Sequence, residues 1–181
     1  MNTTLNIFDQ DGFIAIVNTD KYSSFVDNDW ELDQLMAHFI NQMNQDSFVI
    51  WATNYQGGDW QVKITDKPSN DKVYRQFSKT IQVTTGELYL TNYTDLTMAA
   101  QFADEKVPSK HNSNLFVKIP NGKYELQIRQ MFDPKISTMN WTRIFTKLLF
   151  YQRTIKVKQQ TMCFGGQNRQ PLTVSKNFGQ W

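Results

Sequence analysis

Leu115-Phe-Val-Lys-Ile-Pro-Asn-Gly-Lys-Tyr-Glu-Leu-Gln-Ile-Arg129 is the stretch from which the fold is read. Two apolar-rich arms flank Asn121-Gly122, a pair that tolerates positive φ and suits the mirror-image turns of β-hairpins. The second arm alternates Tyr124, Leu126 and Ile128 against Lys123, Glu125, Gln127 and Arg129, so one face is expected to be buried and the other wet. A hairpin is predicted here. Gly57-Gly58, between Ile50-Trp51 and Trp60-Val62, marks a second hairpin, and Thr85-Gly86 a third.

Working outward, aromatic and β-branched residues cluster into strands near 12–18, 47–53, 60–65, 77–83, 87–91, 97–102, 114–119, 124–131 and 143–151. Segments 66–71 and 104–114, rich in Asp, Lys, Pro, Ser and Asn, read as surface loops. One stretch has a clear helical period: from Trp30 to Asn44, Leu32, Leu35, Met36, Phe39, Ile40 and Met43 recur at three- and four-residue intervals. Asp29 is placed to cap that helix, and Glu31 and Asp33 suit the positive end of its dipole. Short strands, frequent turns and a single amphipathic helix at about 30–44 predict a mainly β protein, an antiparallel two-layer β-sandwich. The expected organisation is one domain over 1–181. Residues 1–151 form its core, and 152–181 an irregular basic extension, packed on that core or partly mobile.

Of 181 residues, 40% are hydrophobic and 14% aromatic, enough for a substantial core. The longest apolar runs, such as Phe13–Val17 and Leu148–Tyr151, are far short of the roughly 20 residues that cross a bilayer, so no transmembrane segment is expected. The amino terminus has neither a basic start nor a continuous apolar stretch, and Cys163 is alone; both features predict a cytoplasmic address.

The formal net charge of +2 hides two opposite halves. Residues 135–181 hold eight of the 19 Lys and Arg and none of the 17 Asp and Glu, which leaves −6 before them against +8 within. Five carboxylates, Asp20, Asp27, Asp29, Glu31 and Asp33, fall around the helix start, offset there by Lys21. Helix capping accounts for part of this cluster. The remainder suits a surface that engages a basic protein groove, with Asp27, Asp29, Trp30, Glu31 and Asp33 as the expected contacts and Tyr22 and Phe25 as neighbouring exposed aromatics. On the basic side, Arg143, Lys147, Arg153, Lys156 and Lys158 interleave with Phe145, Phe150, Tyr151 and Phe164. That is the pattern of a nucleic-acid surface and equally that of core strands with a solvated face.

Cys163, with His38 or His111, is the only conceivable thiol catalyst, and no orienting group accompanies it. Two distant histidines and one cysteine lack metal-ligand spacing, and neither glycine pair has the context of a phosphate loop. The expectation is therefore a non-enzymatic protein, with no catalytic, metal or cofactor residues assigned.

Several pieces in order resemble the bacterial competence protein J family of DNA-entry nuclease inhibitors. They are Asp29-Trp-Glu31, Asp46-Ser-Phe-Val-Ile-Trp-Ala-Thr53, Asp59-Trp-Gln-Val-Lys-Ile-Thr-Asp66, Phe77-Ser-Lys-Thr-Ile-Gln-Val-Thr84, Gly86-Glu-Leu-Tyr-Leu-Thr91 and Phe116-Val-Lys-Ile-Pro-Asn-Gly-Lys-Tyr-Glu-Leu126. The similarity spans roughly residues 5–151. It implies a β-sandwich inhibitor that occludes a basic partner, a nuclease, in a bacterial cytoplasm. This chain departs from the family in its length, in the segment 104–114 and in the basic region after Gln152.

Overall fold

The computed structural model describes residues 1–53, 58–131, 133 and 144–152. In chain order its elements are β1 (Asn2–Asp9), β2 (Phe13–Val17), α1 (Leu32–Asn44), β3 (Phe48–Ala52), β4 (Gly58–Thr65), β5 (Arg75–Val83) and β6 (Glu87–Asn92). They continue with α2 (Tyr93–Gln101), β7 (Phe116–Lys118), β8 (Gly122–Gln130) and β9 (Ile144–Gln152).

The strands form two sheets, a five-stranded one in the order β1-β4-β9-β8-β5 and a four-stranded one in the order β3-β2-β6-β7. Pairing is antiparallel except between β4 and β9, where Trp60 to Thr65 run parallel to Ile144 to Leu149. The fold is thus the mainly β sandwich expected. Its core lies between the sheets, where Ile14, Ile16, Val49 and Leu90 of one meet Trp60, Val62, Ile81, Leu126 and Leu148 of the other.

A second core lies on the far side of the four-stranded sheet. Ala15, Val17 and Phe48 there pack against Leu35 and Phe39 of α1 and Leu96, Ala99 and Ala100 of α2. The four-stranded sheet is therefore covered on both faces. This explains why β2 reads as an unbroken apolar run rather than as an alternation: from Ile14 to Val17 odd and even side chains both leave water, while Phe13 at its start stays exposed. The five-stranded sheet has one wet face, and Glu125 and Gln127 alternate there with the buried Leu126 and Ile128.

Several expectations are corrected. None of the three predicted hairpins forms. β3 and β4, β5 and β6, and β7 and β8 are consecutive in the chain but belong to opposite sheets, so the members of each pair do not hydrogen-bond to each other. The alternation signal cannot tell these arrangements apart, because an arch buries the same side chains as a hairpin does. At the last arch the Tyr124 hydroxyl donates to the Pro120 carbonyl at 2.8 Å and ties the corner to the strand that leaves it. At Gly86, φ is +79°, and its carbonyl accepts from the Ile119 amide at 2.9 Å; a side chain would strain that backbone.

Segment 97–102, predicted as a strand, is the end of α2. Leu96, Ala99 and Ala100 share one buried face, and the Asn92 side chain accepts from the Asp95 amide at 3.0 Å to cap the helix directly out of β6. The sequence reading also passed over β1, an edge strand that buries little beyond Ile7 and Asp9.

A candidate interaction surface on the helix layer

Residues 26–31 reach α1 by way of α2. The Val26 and Asp27 amides both donate to the Ala100 carbonyl, at 2.9 and 3.2 Å, and Gln101 Nε2 donates to the Asn28 carbonyl at 3.2 Å. Asp27 Oδ1 then accepts from the Asp29 amide at 3.0 Å. Glu31, not Asp29 as expected, is the N-cap residue of α1. Gln34 Oε1 accepts from the Glu31 amide at 2.7 Å, the backward arm of a capping box.

This arrangement leaves Asp27, Asp29, Glu31 and Asp33 exposed within two turns of chain. Among the described residues the ion pairs join the Met1 amino group to Asp66 and Lys123 to Asp46, and neither includes these four carboxylates. Trp30 behaves differently. It is half-buried and packs against the helix-side core, with its indole Nε1 buried. Tyr22, read as an exposed aromatic, is buried against Phe48 with ring centroids 4.9 Å apart, whereas Phe25 is indeed exposed.

The apolar part of the surface comes from residues that periodicity alone assigns to the core. On α1 the inner row is Leu35 and Phe39, joined by the buried amide of Gln42. Leu32, Met36 and Ile40 form a second row at four-residue spacing, and they are 59%, 36% and 54% exposed. α2 adds the exposed Met98 and Phe102, the latter two residues beyond the carbonyl that holds Val26. An apolar row headed by exposed carboxylates that make no ion pair among the described residues is the distinctive feature of this layer.

Other polar groups serve the fold. Asp9 is fully buried; its Oδ1 accepts from the amides of Asp11, Gly12 and Phe13, and its Oδ2 from the Thr53 hydroxyl at 2.9 Å. Burial nonetheless raises its pKa above the ordinary carboxylate value. His38 lies beside Tyr22 with ring centroids 5.9 Å apart, and burial lowers its pKa. His111 is exposed in the loop after α2, so the two imidazoles are not brought together by the helix core, and Cys163 lies outside the described residues. No three His, Cys, Asp or Glu side chains converge as metal ligands among the described residues. No helix is long and apolar enough to cross a membrane.

Of the basic candidates, Arg143, Arg153, Lys156 and Lys158 lie outside the described residues. The backbone register sets Lys147 between Lys63 on β4 and Arg129 on β8. Arg129 is committed elsewhere: it is 5% exposed, and its guanidinium donates to the carbonyls of Ser69 and Asp71 at 2.7 and 2.6 Å.

No family model matches the chain, and no curated protein matches it in sequence. Two solved structures are similar to the chain. The product of crocagin biosynthetic gene J is similar over 82% of this chain and 96% of its own, with a TM-score of 0.52 and 9% identity. ComJ from Bacillus subtilis, inhibitor of the DNA degrading activity of NucA, is similar over 83% of this chain and 96% of its own, with a TM-score of 0.48 and 9% identity.

Proposed function

We propose that this protein is a non-enzymatic binding module that occludes a basic site on a protein partner. Asp27, Asp29, Glu31 and Asp33 supply the charge, and Trp30 holds the loop that presents them. One observation carries this reading: four carboxylates, none in an ion pair among the described residues, stand at the head of the exposed row Leu32-Met36-Ile40. Exposed carboxylates steer and select a cationic partner, and the apolar row supplies area to bury once it arrives. On the sequence resemblance to the competence protein J family, the partner is a nuclease and the setting a bacterial cytoplasm.

The test is affinity capture from the native host with the wild-type chain and with D29K/E31K/D33K side by side. The expected partner is basic, is lost from the charge-reversed bait and degrades DNA unless the wild-type protein is added in stoichiometric amount. Equal capture by both baits overturns the acidic contact, and a partner without nuclease activity overturns the inhibitor reading. The alternative assignment, to nucleic acid through Arg143, Lys147, Arg153, Lys156 and Lys158, makes the opposite demand. DNA or RNA should then bind at low salt, with a steep salt dependence weakened by K156E/K158E.

A further inference from the structure

We propose that the open edge of β1 pairs with the same strand of a second copy of this chain, antiparallel about a two-fold axis at Thr4, so that two five-stranded sheets join into one. β1 stands at one end of the order β1-β4-β9-β8-β5, and β4 is its only strand neighbour among the described residues. The Phe8 carbonyl accepts from Asn92 Nδ2 at 3.0 Å, a side chain outside that sheet, so Phe8 turns its backbone polar groups away from β4. Alternate residues of an antiparallel ladder face opposite neighbours, which points the amides and carbonyls of Asn2, Thr4 and Asn6 to the same open side. Such a row is a template for another strand. Asn92 occupies the edge at Phe8, so the open part runs from Asn2 to Asn6 and is centred on Thr4.

The other edges are blunted. On β5, at the far end of the same sheet, the Gln82 amide donates to the Asp46 carbonyl at 2.8 Å, the Thr80 hydroxyl bonds the Asp46 carboxylate, and Arg75 and Lys79 add charge. In the four-stranded sheet the Arg75 guanidinium donates to the Ala52 carbonyl at the end of β3, and β7 is only 3 residues long. β1 has 8 residues, and from Asn2 to Phe8 it carries neither a charged side chain nor a proline, the usual deterrents to edge pairing.

The occupant follows from the strand's own chemistry. Pairing about Thr4 sets Thr4 against Thr4 and Asn2 against Asn6 on the wet face, uncharged hydrogen-bonding side chains that meet without repulsion. The exposed Phe8 then lies diagonal to Asn2 of the second copy. On the inner face Met1 comes opposite Ile7 and Thr3 opposite Leu5, and Met1 and Leu5 are core-rim side chains that one chain covers only in part. A foreign strand is selected by charge or by side-chain pockets, and this edge offers it no charge, whereas its own copy is selected by matching rows. Pairing β1 with β5 of another copy would meet the Asp46 contacts and would propagate without closing, while the two-fold arrangement closes on itself. The contact uses no residue of the acidic surface on α1, so it is independent of the proposed function.

Analytical ultracentrifugation of the full chain tests the pairing. The mass should approach twice the 21.2 kDa of one chain as concentration rises to about 100 µM, the weak range that suits a small interface. T4K and T4E should each remain single chains, because like charges then face each other across the axis, and an equimolar mixture of the two should recover the doubled mass. S78K, on the exposed side of the β5 edge, should leave the dimer unchanged. With the single thiol removed by Cys163→Ser, oxidised Thr4→Cys should cross-link two copies and Asn2→Cys should do so several-fold less. A wild-type chain that stays at 21.2 kDa throughout overturns the pairing, whether the edge then takes a foreign strand or none. So does T4K that dimerises as the wild type does, S78K that does not dimerise, or folded T4K and T4E that fail to associate on mixing. If either charged variant fails to fold, the Thr4→Cys cross-link decides: its presence sustains the two-fold at Thr4 and its absence overturns it.

Discussion

The two helices lie on one face of one sheet, and they use their carboxylates in opposite ways. In the first turn of α2, Asp95 Oδ2 accepts from the Thr91 hydroxyl at 3.0 Å, the Ser109 amide at 3.1 Å and Asn112 Nδ2 at 2.9 Å. It clips the loop after the helix to the strand before it. In the first turn of α1, Asp33 projects to water. The apolar faces diverge too: α2 buries Leu96, Ala99 and Ala100 and is short, whereas α1 buries Leu35 and Phe39 and carries a second row that the core does not use. A helix that only completes a fold has its polar groups satisfied internally. α1 instead carries exposed carboxylates beside exposed apolar side chains, the arrangement on which the proposed contact rests.

The largest expected effect separates the two rows of α1. Leu35→Ala removes a fully buried side chain and should lower unfolding free energy by about 3 kcal/mol in denaturant titration. Ile40→Ala on the outer row should change it by no more than about 0.5 kcal/mol. Comparable losses from both would mean the outer row is core.

The next largest separates the carboxylates. Asp95→Ala strips three donors of their acceptor and should cost about 2–3 kcal/mol, whereas Asp33→Ala should cost about 0.5 kcal/mol, mostly through the helix dipole. Partner capture should respond in the reverse order.

A smaller effect is set by pH. Burial lowers the pKa of His38 in the fold, so the folded state favours the neutral ring, while the unfolded chain takes up its proton near pH 6.5. The stability that goes with the neutral ring is fully present above about pH 6.5 and declines as pH falls towards the folded value. His38→Gln should flatten stability in that window. An unchanged profile would show that the imidazole is not buried as described.

Much of this could be read from the chain. The strand segments of β2 to β9 match the runs of β-branched and aromatic residues, and α1 matches its three- and four-residue period. α2 was missed because Tyr93, Thr94 and Thr97 carry strand propensity, and only the Asn92 cap and the sheet beneath it decide the matter. The acidic cluster was legible as composition. The exposed row was not, because Leu32, Met36 and Ile40 satisfy the same periodicity as Leu35 and Phe39, and a pattern of apolar residues does not state how wide the packed face is.

The sequence by itself determined where the chain turns and which side chains along each strand avoid water, since both follow from local backbone freedom and a two-residue period. Which sheet each strand joins was decided only in three dimensions. An Asn-Gly or Thr-Gly turn reverses the chain equally well within one sheet or across the gap between two. What selects the arch is the requirement that Trp60, Leu126 and Leu148 face Ile14, Ile16 and Leu90, and that the helices cover the remaining side of β2 and β3. The same choice leaves one row of α1 without a partner in the described fold, so the surface that distinguishes this protein exists only after the layers are stacked.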